Sequence, residues 1–170
     1  MDNSSLQPRM RFNGISKCKM DAQRRLLMPK LWRDQMAQLQ LEKEKKVFYL
    51  MPGPGNTVKI GDFYYYNKYS DFLENLNDSD EDTLRAKTQF SMLTVPVELD
   101  GQGRFQLTSE ILKSSGLGNP GDTLVFVGAS DYGRIMSEAA YEQLFLGSVE
   151  SIKKLNEDVQ RLKTRALQLE

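Results

Sequence analysis

The sequence predicts a β-rich α+β fold built by duplicating one small module of strands, turns and short helices. Three observations carry this prediction. The segments Asp21-Ala-Gln-Arg-Arg25 and Asp100-Gly-Gln-Gly-Arg104 share an Asp-x-x-x-Arg pattern 79 positions apart. Each opens a short apolar run, Leu26-Leu27-Met28-Pro29 in one case and Phe105-Gln106-Leu107-Thr108 in the other. The likeness continues downstream, where Val47-Phe48-Tyr49 answers Val125-Phe126-Val127 and Tyr69 to Leu73 answers Tyr141 to Phe145. An internal repeat constrains architecture before any local propensity does.

The elements follow in order. Residues 1–10 have the Ser/Asn/Gln/Pro character of a disordered tail, and Met10 is an alternative start to Met1. Phe12 to Met20 alternates loosely between apolar and polar residues, as a half-buried strand does. Asp21 to Arg24 reads as a tight turn and Leu26 to Met28 as a second strand. Pro29 then opens a helix, since a first-turn position loses nothing by lacking an N–H. Leu31, Trp32, Met36 and Leu39 give that helix its apolar stripe, with Trp32 in the core.

Lys46 to Met51 is strand-like, and Pro52-Gly-Pro-Gly-Asn56 interrupts regular structure. Thr57–Ile60 and Phe63–Tyr66 are strand candidates, and Lys68–Leu76 a short helix. The greater spacing of this arm relative to its second-repeat counterpart places an enlarged hairpin at Pro52–Asp62. An acidic stretch from Asn77 leads into a short helix over 82–92. The second repeat gives a strand over 93–99, a turn at Gly101–Gly103, a strand over 104–107 and a helix over 109–115 stopped by Gly116. A strand pair over 123–128 and 134–137 follows, then a helix from Glu138 to the C-terminus. Within it Ile152, Leu155, Val159, Leu162, Ala166 and Leu169 follow a heptad a/d seam. That helix serves either self-association or packing on its own domain. The module boundaries are therefore 11–76 and 93–146, with a linker over 77–92 and the helix over 147–170.

Composition removes several function classes. The chain has 170 residues, no histidine and one cysteine, Cys18. The commonest general base and metal ligand are thus absent, and no intramolecular disulfide can form. No phosphate-binding Gly-x-x-x-x-Gly-Lys, metal-ligand spacing or nucleophile–base pattern is present, so no enzyme, cofactor or small-molecule substrate is expected. No apolar run is long enough to span a membrane, and a cytoplasmic location is expected. Formal net charge is zero, but residues 1–33 carry eight Lys/Arg against Asp2 and Asp21. The remainder beyond residue 50 is acidic. Such asymmetry predicts a basic face for a polyanion.

These residues resemble the MraZ family, bacterial DNA-binding regulators with two tandem AbrB-type modules. The likeness rests on Phe12-Asn-Gly14, Met20-Asp21, Asp21-x-x-x-Arg25 with Leu-Met-Pro29, Val97 to Arg104, Leu124 to Gly128 and Arg134-Ile-Met136. Arg24 stands where the family usually has glycine, a position Gly103 keeps in the second repeat. The resemblance implies a swapped-hairpin β-barrel whose repeats interlock within one chain. It also implies a ring-shaped homo-oligomer, octamer- or dodecamer-like, and a nucleoid-associated protein. Such rings bind short direct repeats in double-stranded DNA and typically repress the division and cell-wall gene cluster.

The candidate DNA-binding residues are Lys17, Lys19, Arg24, Arg25, Lys30, Arg33 and Arg104. Cations on a rigid frame meet phosphates, and arginine can make bidentate contact with guanine. Lys17 and Lys19 share one strand face. Asp21, Asp100 and Gly103 are assigned to turn structure. Arg25 and Arg104 each have two readings, contact with DNA or an ion pair to the preceding aspartate. Tyr64-Tyr65-Tyr66 is either a base-stacking platform or a mixed buried and exposed strand. The rival to DNA binding is an antitoxin-like protein-interaction module, against which the heptad-patterned, non-acidic C-terminus counts.

Overall fold

The strands of the two repeats do not keep to themselves. The computed structural model describes residues 9–39, 47–146 and 152–167, which fall into two compact units, Met1–Ser137 and Glu138–Glu170. The first unit holds all eight strands. The first repeat supplies β1 (Ile15–Lys19), β2 (Arg25–Leu27), β3 (Phe48–Pro52) and β4 (Thr57–Gly61). The second supplies β5 (Val95–Val97), β6 (Arg104–Gln106), β7 (Thr123–Gly128) and β8 (Gly133–Ser137). Six form one antiparallel sheet in the order β1-β7-β8-β4-β3-β5, and β2 pairs with β6 as a separate ribbon. Exchanging each strand for its counterpart reverses this order onto itself. The connectivity therefore has a pseudo-two-fold axis passing between β4 and β8 and through the β2/β6 ribbon.

Four helices accompany the strands: α1 (Lys30–Gln38), α2 (Phe63–Glu74), α3 (Glu81–Leu93) and α4 (Ser109–Ser115). The helices α1 and α4 are repeat counterparts, capped at the matching positions Pro29 and Thr108. Thr108 uses its hydroxyl to accept from the Ile111 N–H at 3.2 Å, whereas Pro29 makes no side-chain cap and its carbonyl accepts from the Trp32 and Arg33 N–H groups at 3.0 and 3.1 Å. Gly116 ends α4 in the left-handed region at φ 63°, the expected glycine stop.

Burial explains the strand patterns. Along β1, an edge strand, Ile15, Lys17 and Lys19 are exposed while Ser16 and Cys18 are half-buried. Leu124, Val125 and Phe126 of β7 are buried in succession, as suits a strand paired on both sides. Pro96 sits in β5 at the opposite edge, where a missing N–H is tolerated. The core joins both repeats through a chain of edge-to-face rings. Phe12 lies 5.0 Å from Trp32, Trp32 5.7 Å from Phe126, and Phe126 6.2 Å from Phe105. Trp32 places its one polar atom on a partner, donating to the Asn13 carbonyl at 2.9 Å.

Some sequence expectations change. Phe63–Tyr66 is the first turn of α2, because Asp62 caps that helix and accepts from the Tyr65 N–H at 2.8 Å. A capping carboxylate outweighs the strand preference of an aromatic run. Burial pushes the Asp62 carboxyl upward against these hydrogen bonds. The tyrosines offer no continuous platform, since Tyr65 is buried and Tyr66 stacks on Tyr49 at 3.9 Å.

The hairpin at Pro52 is not enlarged. Residues 53–56 join β3 to β4 and residues 129–132 join β7 to β8, four in each case. The longer spacing from Val47 to Tyr69 arises elsewhere, because Tyr69 and Tyr141 belong to different contexts, α2 and the second unit. Among the described residues the strands form a β-rich antiparallel sheet with β1 and β5 at its edges plus the β2/β6 ribbon, and no closed barrel is shown. In the second unit α5 (Glu138–Tyr141) runs into a π-helical turn, Glu142–Leu146, and α6 spans Ile152–Leu167. Continuity between them lies outside the described residues, as does most of the expected N-terminal tail. Met10, within that tail, is buried in the core.

The approach of residues 12–14 to β7 allows a direct test. A Cβ on Gly128 would stand 2.4 Å from the Phe12 carbonyl oxygen and 2.6 Å from the Asn13 Cα. Both are backbone atoms that cannot rotate away. Gly128→Ala is expected to destabilise the protein by about 1–3 kcal/mol, the usual cost of overpacking, as a lower urea midpoint.

Candidate nucleic-acid interface

The two Asp-x-x-x-Arg segments fold into the same turn. Asp21 Oδ1 accepts from the backbone N–H groups of Gln23 and Arg25 at 2.9 and 2.8 Å, and its Oδ2 accepts from Arg25 Nε at 2.7 Å. Asp100 Oδ1 accepts from the N–H groups of Gln102 and Arg104 at 2.9 Å each, and its Oδ2 from Arg104 Nε at 2.9 Å. One carboxylate thus fixes the loop and the arginine plane together. The Arg25 backbone N–H, ahead of its guanidinium, holds the Asp21 carboxyl below the usual carboxylate range. The Arg104 N–H does the same for Asp100.

The residue before each arginine takes a left-handed conformation, Arg24 at φ 61° and Gly103 at φ 79°. Its carbonyl then leaves its own repeat. Arg24 C=O accepts from the Leu107 N–H at 2.9 Å, and Gly103 C=O accepts from the Met28 N–H at 3.0 Å. The turns therefore clasp each other's β2 or β6 ends. Gly103 is close to Arg33 as well, whose Cδ lies 2.5 Å from where a Cβ would stand.

These bonds place the candidate cations. In the β2/β6 register Arg25 faces Gln106, Leu26 faces Phe105 and Leu27 faces Arg104. Leu26 and Phe105 are buried, so Arg25, Leu27, Arg104 and Gln106 share the outer face. Arg25 and Arg104 are diagonal neighbours there, a relation that puts such positions about 7–8 Å apart. Lys17 and Lys19 stand on the exposed face of β1, which leads into the first turn. Arg24 closes that turn, its N–H on the Asp21 carbonyl at 2.9 Å, near enough to Glu110 to be among the charges lowering its pKa, behind the Glu110 backbone N–H, Ser109 and Lys113.

Two candidates have other engagements. Lys30 is paired with Asp34 at 2.6 Å on the exposed side of α1. Arg33 donates from Nε to the Met28 carbonyl at 2.9 Å and packs over Gly103, so it braces the second turn. Cys18 is half-buried with its thiol pushed up by burial, and Sγ accepts from the Leu27 N–H at 3.2 Å. That is an unreactive setting.

Sequence reasoning missed the glutamines. Gln23 Oε1 accepts from Arg25 Nη2 at 3.3 Å, and Gln106 Nε2 donates to the Gln23 carbonyl at 2.9 Å. The signal was available, because both turns carry glutamine at their centre, Gln23 and Gln102. Reading the motif as Asp-x-x-x-Arg discarded it.

Among the described residues no cluster of metal-ligating side chains occurs, and no helix is long and apolar enough to cross a membrane. No protein-family model matches the chain. The chain is similar to the transcriptional regulator MraZ of Mycoplasmopsis synoviae (strain 53), with 34% identity over 80 residues. Those residues make up 46% of this chain and 54% of that relative, so the chain spans about half of its length.

Two stability predictions follow from the turns. Arg24→Gly removes a left-handed strain of about 1–2 kcal/mol for a residue bearing a Cβ, offset in part by glycine's entropy in the unfolded chain. The variant should be more stable by up to about 1 kcal/mol, read as a higher thermal midpoint. Asp21 and Asp100 have folded pKa values below their unfolded ones, so below about pH 4 the unfolded chain binds more protons. Their stabilisation is full above that pH and is lost as pH falls through the folded values. Asp21→Asn should flatten the acid limb of a urea-midpoint profile, while an unchanged limb would refute the assignment.

Proposed function

We propose that this chain is a DNA-binding transcription regulator of the MraZ type. Two AbrB-like modules, 11–76 and 93–146 joined by 77–92, would interlock as swapped hairpins, a reading supported by the interleaved strand pairing. One observation carries the DNA assignment: Arg25 and Arg104, one from each repeat, share the outer face of a single two-stranded ribbon. A major groove about 12 Å wide admits such a ribbon. A guanidinium has five N–H donors, so a carboxylate on Nε orients it and leaves donors for a base edge.

Lys17, Lys19 and Arg24 serve as phosphate contacts beside the ribbon. They fix register without reading sequence. Lys30 and Arg33 lie at the margin, the latter acting through the second turn. A ring of such chains would present many ribbons to direct repeats, with avidity making up for few contacts per copy. The resemblance and the similar relative support action on transcription. Repression of the division and cell-wall gene cluster from the cytoplasm, at the nucleoid, is the form we propose.

Fluorescence anisotropy with the gene's own upstream duplex and a scrambled duplex tests this. Arg25→Ala and Arg104→Ala should each cost about 1–3 kcal/mol on the specific duplex and less on the scrambled one. Lys17→Ala and Lys19→Ala should weaken both duplexes alike and each reduce the salt slope by about 1. Equal binding of both duplexes by the unmodified protein would refute specific recognition. It would favour protein contact through the exposed Ile15 and Leu31, which line one shallow cleft beside these cations.

A further inference from the structure

The helix α6 carries an apolar stripe that its own surface leaves uncovered. Leu155, Val159 and Leu162 are 55%, 40% and 64% exposed. In sequence they belong to a seam with β-branched or small residues at the a positions, Ile152, Val159 and Ala166, and leucine at the d positions, Leu155, Leu162 and Leu169. β-branched a positions with leucine at d favour two parallel strands.

We propose that α6 is a dimerisation element that pairs in parallel and in register with α6 of a second copy of this chain. The flanking charges name that occupant. In a parallel pair each g position faces the e position of the next heptad on the partner helix. Asp158 at g then meets Lys163 at e, of opposite sign. An antiparallel pair sets Lys163 opposite the neutral Asn156 but Asp158 opposite Arg165, so the charges suit a second copy in either orientation and the a and d residues select the parallel one. Asp158 accepts from Arg161 on its own helix at 2.9 Å, but a carboxylate has acceptor capacity for a second donor. An exposed intrahelical pair contributes little to be given up.

The helix is short, and fewer than three heptads are marginal on their own. Pairing therefore reinforces any other contact between copies, at the effective concentration that contact creates. This inference is independent of the DNA reading, because α6 belongs to the second compact unit and none of the ribbon residues lies in it.

The test uses the full chain in a Cys18→Ser background, with single cysteines introduced in α6 and equilibrated in a glutathione redox buffer. Leu162→Cys, at a d position, should form a disulfide-linked dimer. Glu157→Cys, at the outward f position, should not. Lys163→Glu added to Leu162→Cys should lower the dimer yield several-fold, and adding Asp158→Lys as well should restore it. No dimer from Leu162→Cys, or equal yields from Leu162→Cys and Glu157→Cys, would overturn the proposal. So would a yield indifferent to the charge reversal. Unchanged thermal unfolding of the β unit confirms that each variant is folded.

Discussion

Everything in the first unit depends on how one aspartate closes each turn. Asp21 and Asp100 each gather two backbone N–H groups and an arginine Nε onto a single carboxylate. Closing the turn drives the residue before the arginine into the left-handed region and aims its carbonyl at the other repeat. Each turn therefore supplies a hydrogen bond that its counterpart needs. Neither repeat can complete its own strands alone, since β1 relies on β7, β5 on β3, and β2 on β6.

The pseudo-two-fold frame then tolerates divergence on its surface. Glycine occupies the left-handed position in only one of the two turns, where Gly103 answers Arg24. The strained member is held because its neighbours over-determine the backbone. Charge has diverged in the same way. The first repeat carries Lys17, Lys19 and Arg24 beside its turn, whereas Arg104 is flanked in sequence by Glu98 and Asp100. One geometry thus presents two arginines in similar settings with different electrostatic surroundings.

The same frame settles how each cation is held. An arginine needed to fix a turn is held in place, which costs it mobility and gives it direction. Lys17 and Lys19 lie on an edge strand with one face outward, a position set by the alternation of the strand. Arg33, although part of the same basic run, has its stem against Gly103 and its Nε on Met28.

Local patterns in the sequence were enough to determine the duplication, the two turns, Trp32 as a core residue and the exposed pairing of Lys17 with Lys19. Each depends on interactions within a few residues or on a strand or helix period, so the chain states them directly. Tertiary structure decided what depends on distant partners. Asp62 turned an aromatic run into a helix by capping it, and strands of the two repeats paired with one another. The ribbon brought Arg25 and Arg104 onto one face although 79 positions separate them. That juxtaposition comes from antiparallel register between segments far apart in the chain, and no local periodicity encodes register across such a distance.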